Sequence, residues 1–114
     1  MSISTKEINN GVVLYLKEDI SVDSVKNLHT LVEPFLANEI KNMIFDFEGV
    51  DYICSAGLGV IANAYKKLAQ ASGHVYATNV SGRIMKIFEA TTLDQFLILR
   101  DNTDTLIESI KEKT

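Results

Sequence analysis

The segment NMIFDFEGVDYICSAGLGVIANAYKKLAQ, residues 42–70, carries the two hydrophobic patterns that decide the fold. Its first six residues form a short apolar run between polar residues, which is typical of a buried strand. After Ser55, apolar residues recur at steps of three or four, which indicates one face of a helix that ends near Ser72, before Gly73. That face holds Leu58, Ile61, Ala64, Tyr65 and Leu68. The segment therefore predicts a strand that leads directly into an amphipathic helix.

The N-terminal part of the chain predicts a hairpin followed by a helix. Residues 3–8 and 11–17 have the composition of short strands, and the Asn-Asn-Gly sequence provides the positive φ of a tight turn. In the next segment, SVDSVKNLHTLVEPFLANE, apolar residues recur with a helical period, and Ser21 or Asp23 can cap the helix. Pro34 lies inside this helix and predicts a kink there.

The C-terminal part continues the alternation of strands and helices. HVYATNV predicts a strand, SGRIMKIFEAT a helix with a serine cap, FLILR a last short strand, and the final segment a helix capped near Asn102 or Thr103. Together the elements predict an α/β fold. Its sheet is small, mixed and mostly parallel, begins with the N-terminal hairpin and packs against about four helices.

Length and composition predict a single globular domain over residues 1–114. The chain is 46% hydrophobic and 23% charged, and it has no linker rich in Pro, Gly or Ser. With a net charge of −4 and dispersed lysines, we expect no direct binding of nucleic acid. No apolar run approaches the roughly 20 residues that span a bilayer, so we expect a cytoplasmic protein without membrane insertion.

The sequence contains few residues that are candidates for catalysis or metal binding. Cys54 is the only cysteine, which excludes an internal disulfide, and the two histidines, His29 and His74, lie far apart in sequence. No acid/base pair or metal cluster can be assembled from these residues. We therefore expect no catalytic residue, no metal and no cofactor.

Ser55, at the junction of strand and helix, is open to three interpretations. Serine is among the best helix N-caps, and a cap alone is worth about 1 kcal/mol. A nucleophile is disfavoured because Ile53 and Cys54 do not form the G-x-S-x-G elbow and histidine is scarce; Gly57 and Gly59 do not complete a nucleotide-binding loop. As a phosphate acceptor, Ser55 would gain about −1.5 to −2 charges, partly compensated by the helix N-terminus.

The central half of the chain resembles the STAS domain of bacterial anti-sigma factor antagonists. The similarity is carried by IFDFEGVDYICSAGLGVIANAYKKLAQASGHVYATNVSGRIMKIFEATTLD, residues 44–94. In that family a strand leads into D-S-[SAT]-G-L-G, and a helix, a strand ending near N-V-S and a helix ending in T-G-L-D follow. Outside this half, the resemblance rests on the order of the elements.

The resemblance implies a regulatory binding domain that is not an enzyme. Ser55 matches the serine phosphorylated by an anti-sigma factor with serine-kinase activity, and Gly57, Leu58 and Gly59 match the G-L-G. In the family the unphosphorylated form binds the anti-sigma factor and frees the sigma factor, and a phosphatase reverses the mark. The predicted binding residues, here called the Ser55 surface, are Ser21, Asp23, Cys54, Ser55, Ala56, Gly57, Leu58, Gly59 and Asn63.

The chain departs from the family pattern in three places. Cys54 stands where the family has Asp, Thr92 replaces the Gly of T-G-L-D, and residues 18–21 replace G-E-L-D. Without the Asp, a phosphate on Ser55 avoids a repulsion of roughly 1 to 4 kcal/mol at about 4 Å. The thiol of Cys54 is either reactive, if exposed, or an inert and partly buried group. The alternative function is a STAS interaction subunit without phosphorylation, in a scaffold or lipid-transport assembly.

Small side chains dominate the first turns of the helix that begins near Ser55. They are Ala56, Gly57, Gly59, Ala62 and Asn63. Such residues let a partner protein approach the helix backbone closely, or they let the helix itself pack closely on the sheet. The sequence leaves both explanations open.

Overall fold

Residues 3–112 are described by the structure, a computed structural model. The strands of this region are β1 (Ser4–Ile8), β2 (Gly11–Tyr15), β3 (Asn42–Asp46), β4 (His74–Thr78) and β5 (Ile98–Arg100). The α-helices are α1 (Val22–Ala37), α2 (Ser55–Gln70), α3 (Gly82–Ala90) and α4 (Thr103–Glu112), with a 3-10 turn at Leu93–Gln95. None of these helices combines the length and apolar character that crossing a bilayer demands.

The five strands form one sheet in chain order, β1-β2-β3-β4-β5. β1 and β2 pair antiparallel, and all the other neighbours pair parallel. This arrangement confirms the predicted mixed, mostly parallel sheet with an N-terminal hairpin. Asn10, in the predicted Asn-Asn-Gly turn, takes the positive φ of 58°. Gly11 is required for another reason: a Cβ there would lie 2.0 Å from the carbonyl oxygen of Asn42 on β3.

Helices cover both faces of the sheet, which explains why the central strands are apolar on both sides. On one face, α1, α2 and α3 pack through a core that includes Leu28, Ile61 and Phe88. On the other face, α4 is the one helix of residues 3–112 that covers the sheet. The contacts of α4 involve Val13, Ile44, Tyr76, Leu106, Ile107 and Ile110.

The predicted starts of three helices are confirmed at Ser21, Ser81 and Asn102. Ser21 is the N-cap of α1, and its backbone N–H donates to Ser24 Oγ at 2.8 Å. Ser81 Oγ accepts from the N–H of Ile84, and Asn102 Oδ1 accepts from the N–H of Thr105. α1 is continuous through Pro34. The kink predicted there stays a prediction.

A buried carboxylate fixes the start of α4 to the end of β3. Asp46, 5% exposed, accepts hydrogen bonds from Thr103 Oγ1 (2.7 Å), Asn79 Nδ2 (3.2 Å) and the N–H of Glu48 (2.9 Å). Thr103 has one hydroxyl proton and donates it to Asp46, so the hydroxyl of Thr78 must be the donor in its bond to Thr103. The two hydroxyls and the carboxylate thus form one hydrogen-bonded network in which every donor has an acceptor.

Thr103→Val tests this tether. The substitution keeps the shape but removes the donor to Asp46 and the acceptor of Thr78, so we expect a loss of about 1–3 kcal/mol in unfolding free energy. Urea denaturation measures the loss. Thr105→Val is the control, because Thr105 is exposed on the same helix. Equal stabilities of the two variants would show that the hydrogen bonds among Thr78, Thr103 and Asp46 contribute nothing to the unfolding free energy.

Candidate functional site

A single parallel bridge joins the segments that enter α1 and α2. Ile20, which follows β2, is paired with Ile53, which follows β3. The N–H of Ile20 donates to the carbonyl of Tyr52 (2.9 Å), and the N–H of Cys54 donates to the carbonyl of Ile20 (2.8 Å). Both isoleucine side chains are buried, at 0% and 2% exposure. The Ile20–Ile53 bridge therefore holds the two helix entrances side by side.

The two helices begin at equal distances from the bridge. Ser21 and Cys54 are the N-caps, and Val22 and Ser55 are the first helical residues. Adjacent strands lie about 4.8 Å apart, so the register places the two helix N-termini next to each other. The backbone N–H groups of their first turns lack intrahelical partners. The fold thus brings together the two parts of the Ser55 surface, which are more than 30 residues apart in sequence.

Ser55 is exposed at the start of α2, and it is not the cap predicted from the sequence. Cys54 occupies the N-cap with extended backbone angles (φ −74°, ψ 166°), and its side chain makes no capping bond. The Ile20–Ile53 bridge explains this helix start. The hydrogen bond from Cys54 N–H to the Ile20 carbonyl keeps Cys54 extended, so the first helical residue is Ser55. The Ser55 hydroxyl forms no hydrogen bond with any of residues 3–112.

Cys54 has the burial of an inert residue. It is 6% exposed, and it is a free cysteine. Reactive cysteines are accessible thiolates. The sequence left open whether the thiol of Cys54 is reactive or inert, and its burial favours an inert thiol.

The two glycines of the G-L-G segment have different surroundings. A Cβ on Gly57 would lie 2.7 Å from Cγ1 of Ile53 and 3.0 Å from Cγ2 of Ile20, so α2 needs a glycine there to pack on the bridge. A Cβ on Gly59 would meet no atom of the described chain within 4 Å. Close packing on the bridge therefore explains Gly57, and the fold gives no reason for Gly59.

The remaining residues of the Ser55 surface differ in exposure. Ala56 and Asn63 are exposed on α2, and Asp23 is exposed in the first turn of α1. Leu58 is half-buried and packs against the core, so its main contacts are internal. Asn63 lies eight residues beyond Ser55, about 12 Å along the helix axis. The surface thus extends for two turns of α2.

Asp19 fixes the loop before Ser55, a role that the sequence did not reveal. Its Oδ1 accepts hydrogen bonds from the N–H groups of Asp51 (2.8 Å) and Tyr52 (3.2 Å). Asp19 belongs to residues 18–21, which depart from the G-E-L-D pattern. The segment nevertheless places a carboxylate where it clamps the neighbouring loop.

A family model of the STAS domain matches residues 2–109. The chain belongs to the STAS domain family. Its relatives include an anti-sigma-B factor antagonist from Staphylococcus aureus, with 28% identity over 86 residues, 75% of this chain and 80% of the relative. A second, from Bacillus subtilis, is 25% identical over 85% of this chain and 88% of its own length.

Solved structures agree with this STAS fold. The unphosphorylated form of the anti-sigma factor antagonist SpoIIAA, from Bacillus, aligns with a TM-score of 0.78 at 18% identity. The alignment covers 97% of this chain and 96% of SpoIIAA. The match confirms the predicted fold family, with its hairpin, mixed sheet and helices.

A concave region of the STAS domain lies at the C-terminal ends of β2 and β3, beside the start of α4. An open cavity of about 480 Å³ is lined by residues that include Tyr15, Lys17, Asp46 and Asp104. Burial raises the pKa of Tyr15, with smaller contributions from the carboxylates of Asp104 and Asp46. Asp46 is already satisfied by its three donors, and residues 3–112 contain no cluster of three metal-ligating side chains. The cavity therefore offers no candidate metal centre.

Gly57→Ala and Gly59→Ala are a matched pair on α2. We expect Gly57→Ala to lower the unfolding free energy by about 1–3 kcal/mol, because Ile53 must shift in a packed core. We expect Gly59→Ala to raise it by about 0.5–1 kcal/mol, because alanine favours a helix and finds free space. Chemical denaturation of both variants measures the difference. The explanation fails if the two substitutions change stability in the same direction.

Proposed function

We propose that this STAS domain is an anti-sigma factor antagonist that works by partner switching. It binds a serine-kinase anti-sigma factor while Ser55 is unphosphorylated and is released once that kinase phosphorylates Ser55. The observation that carries the proposal is the exposed Ser55 hydroxyl, which no described residue engages, at the N-terminus of α2. A cytoplasmic location and a single domain over residues 1–114 are parts of the same proposal.

The relatives support this function. Those from Staphylococcus aureus and Bacillus subtilis are named anti-sigma-B factor antagonists. SpoIIAA, whose fold this chain shares, has been solved in unphosphorylated and phosphorylated forms, and the phosphorylated form aligns with a TM-score of 0.77. A related domain can thus carry a phosphate within the same fold.

The N-terminus of α2 favours a phosphate on Ser55. The first turn of α2 contains no acidic residue, and its free N–H groups and helix dipole attract an anion. Cys54 stands where the family has Asp, so the phosphate meets no carboxylate at that position. The free domain can therefore hold the modified residue without a change of fold.

The same phosphate opposes binding of a partner protein. Gly59 and Ala56 are exposed on α2, and they leave its backbone open to close approach around Ser55. A phosphate placed in such a contact must lose its hydration and occupy the volume that the partner needs. Occlusion of this kind requires no internal movement of the domain.

In this proposal the domain is a substrate and a ligand, and the chemistry belongs to its partners. The kinase transfers the terminal phosphoryl group of ATP to Ser55 Oγ, ADP leaves, and the hydroxyl proton passes to a base of the kinase. A phosphoserine phosphatase returns the group to water as inorganic phosphate and restores the hydroxyl. The domain itself needs neither a cofactor nor a metal.

Phosphoryl transfer to Ser55 is tested with the anti-sigma factor kinase from the same source and ATP. Intact mass should show one phosphoryl group on the wild type and none on Ser55→Ala, because the modified oxygen is absent. A wild type that binds the kinase but gains no phosphoryl group would favour the alternative, an interaction subunit of a scaffold or lipid-transport assembly. Modification of Ser55→Ala would place the acceptor at another residue.

Ser55→Asp tests release by charge. The carboxylate imitates part of the phosphate charge, so we expect weaker binding to the kinase and an unchanged circular dichroism spectrum. Ser109→Asp is the control, because Ser109 is exposed on α4, across the sheet from α2. Titration calorimetry compares the affinities of both variants. Wild-type affinity of Ser55→Asp would contradict occlusion.

A further inference from the structure

Three large hydrophobic side chains are prominently exposed among residues 3–112. They are Val22 (78%), Tyr52 (51%) and Phe96 (47%). Val22 and Tyr52 flank the Ile20–Ile53 bridge, beside Ser55. Resting on the proposed function, we propose that these two are the hydrophobic anchors of the interface and enter apolar pockets on the anti-sigma factor.

Val22 is placed directly beside the phosphorylation site. It is the first residue of α1, as Ser55 is the first residue of α2, and each lies two positions beyond the bridge. A first-turn valine gains nothing for the helix, because β-branched residues are weak helix formers. With 78% of its surface in water, Val22 also adds little to the core. Its apolar surface is available to a partner.

Tyr52 is held rigidly on the other side of the bridge. Its carbonyl accepts from Ile20 N–H at 2.9 Å, and its own N–H donates to Asp19 Oδ1 at 3.2 Å. A tyrosine on a fixed backbone loses little conformational entropy when a partner covers it. Exposed tyrosines of this kind are frequent among the residues that dominate binding energy. The clamp by Asp19 therefore preorganises an aromatic anchor.

The charges around the two anchors indicate the chemistry of the opposing surface. Residues 17–26 and 48–63 contain five carboxylates and two lysines, Lys17 and Lys26, and carry a net charge of −3. The carboxylates are Glu18, Asp19, Asp23, Glu48 and Asp51. The complementary surface is therefore apolar at its centre, for Val22 and Tyr52, and basic at its rim.

This arrangement accounts for release by a phosphate despite a basic rim. Ser55 lies next to Val22, at the apolar centre of the contact, and away from the charges that could pair with a phosphate. A phosphate there would be desolvated against apolar side chains without a compensating cation. The anchors and the switch are thus parts of one contact.

Val22→Ser and Tyr52→Ser test the anchors, with Phe96→Ser as the control. Phe96 is exposed to a similar degree as Tyr52 but packs on Tyr65, ten residues beyond Ser55 and about 15 Å along α2. We expect each anchor variant to weaken binding to the kinase by about tenfold or more. The affinities are measured without ATP, so that Ser55 stays unphosphorylated. Phe96→Ser should bind within about twofold of the wild type, and thermal melts verify that all three variants fold.

The salt dependence of association provides a second measurement. With a basic rim on the partner, the association rate of the wild type should fall as NaCl rises, while Val22→Ser mainly accelerates dissociation. Anchor variants that bind like the wild type, while Ser55→Asp still releases the kinase, would overturn this inference and leave the proposed function intact. A wild type that neither binds nor is phosphorylated would overturn both.

Discussion

The pairing of Ile20 with Ile53 is the contact on which the candidate site depends. It resumes parallel pairing beyond the ends of β2 and β3, with a register shifted by two residues, and brings two helix entrances together. Gly57 lets α2 close over the two isoleucines, and Asp19 fixes the loop on the far side. Burial of two complete isoleucine side chains, each worth about 1.5–3 kcal/mol, supports a geometry that two backbone hydrogen bonds alone would leave weak.

One short segment divides its residues between the core and the exposed surface. Cys54, Gly57 and Leu58 face inward and serve packing, whereas Ser55, Ala56 and Gly59 face outward. The division follows from the period of the helix, because residues three or four apart share a face. A motif of this kind can therefore vary on its inner side to suit the core without altering what a partner meets.

The sequence predicted the hairpin, the order of the elements and the apolar faces, because these depend on local periodicity. It placed the start of α2 near Ser55, as observed, but the N-cap interpretation of Ser55 is wrong, since the bond from Cys54 to Ile20 arises from pairing across more than 30 residues. The role of Asp19 and the exposure of Val22 and Tyr52 also went unpredicted, because they too depend on the arrangement of residues far apart in sequence. An acid beside a strand end, or a valine at a helix start, has no local signal that reveals its tertiary surroundings.

The missing side-chain cap of α2 has a consequence for the lifetime of the protein. Cys54 gives no side-chain acceptor to the first turn, so the amides there lack a capping partner in the unmodified domain. Phosphate oxygens on Ser55 would occupy this vacant acceptor position and stabilise the first turn. The modified form would then open locally no more often than the unmodified one and resist proteolysis equally well. In the proposed switch, dephosphorylation alone then restores the binding form of the domain.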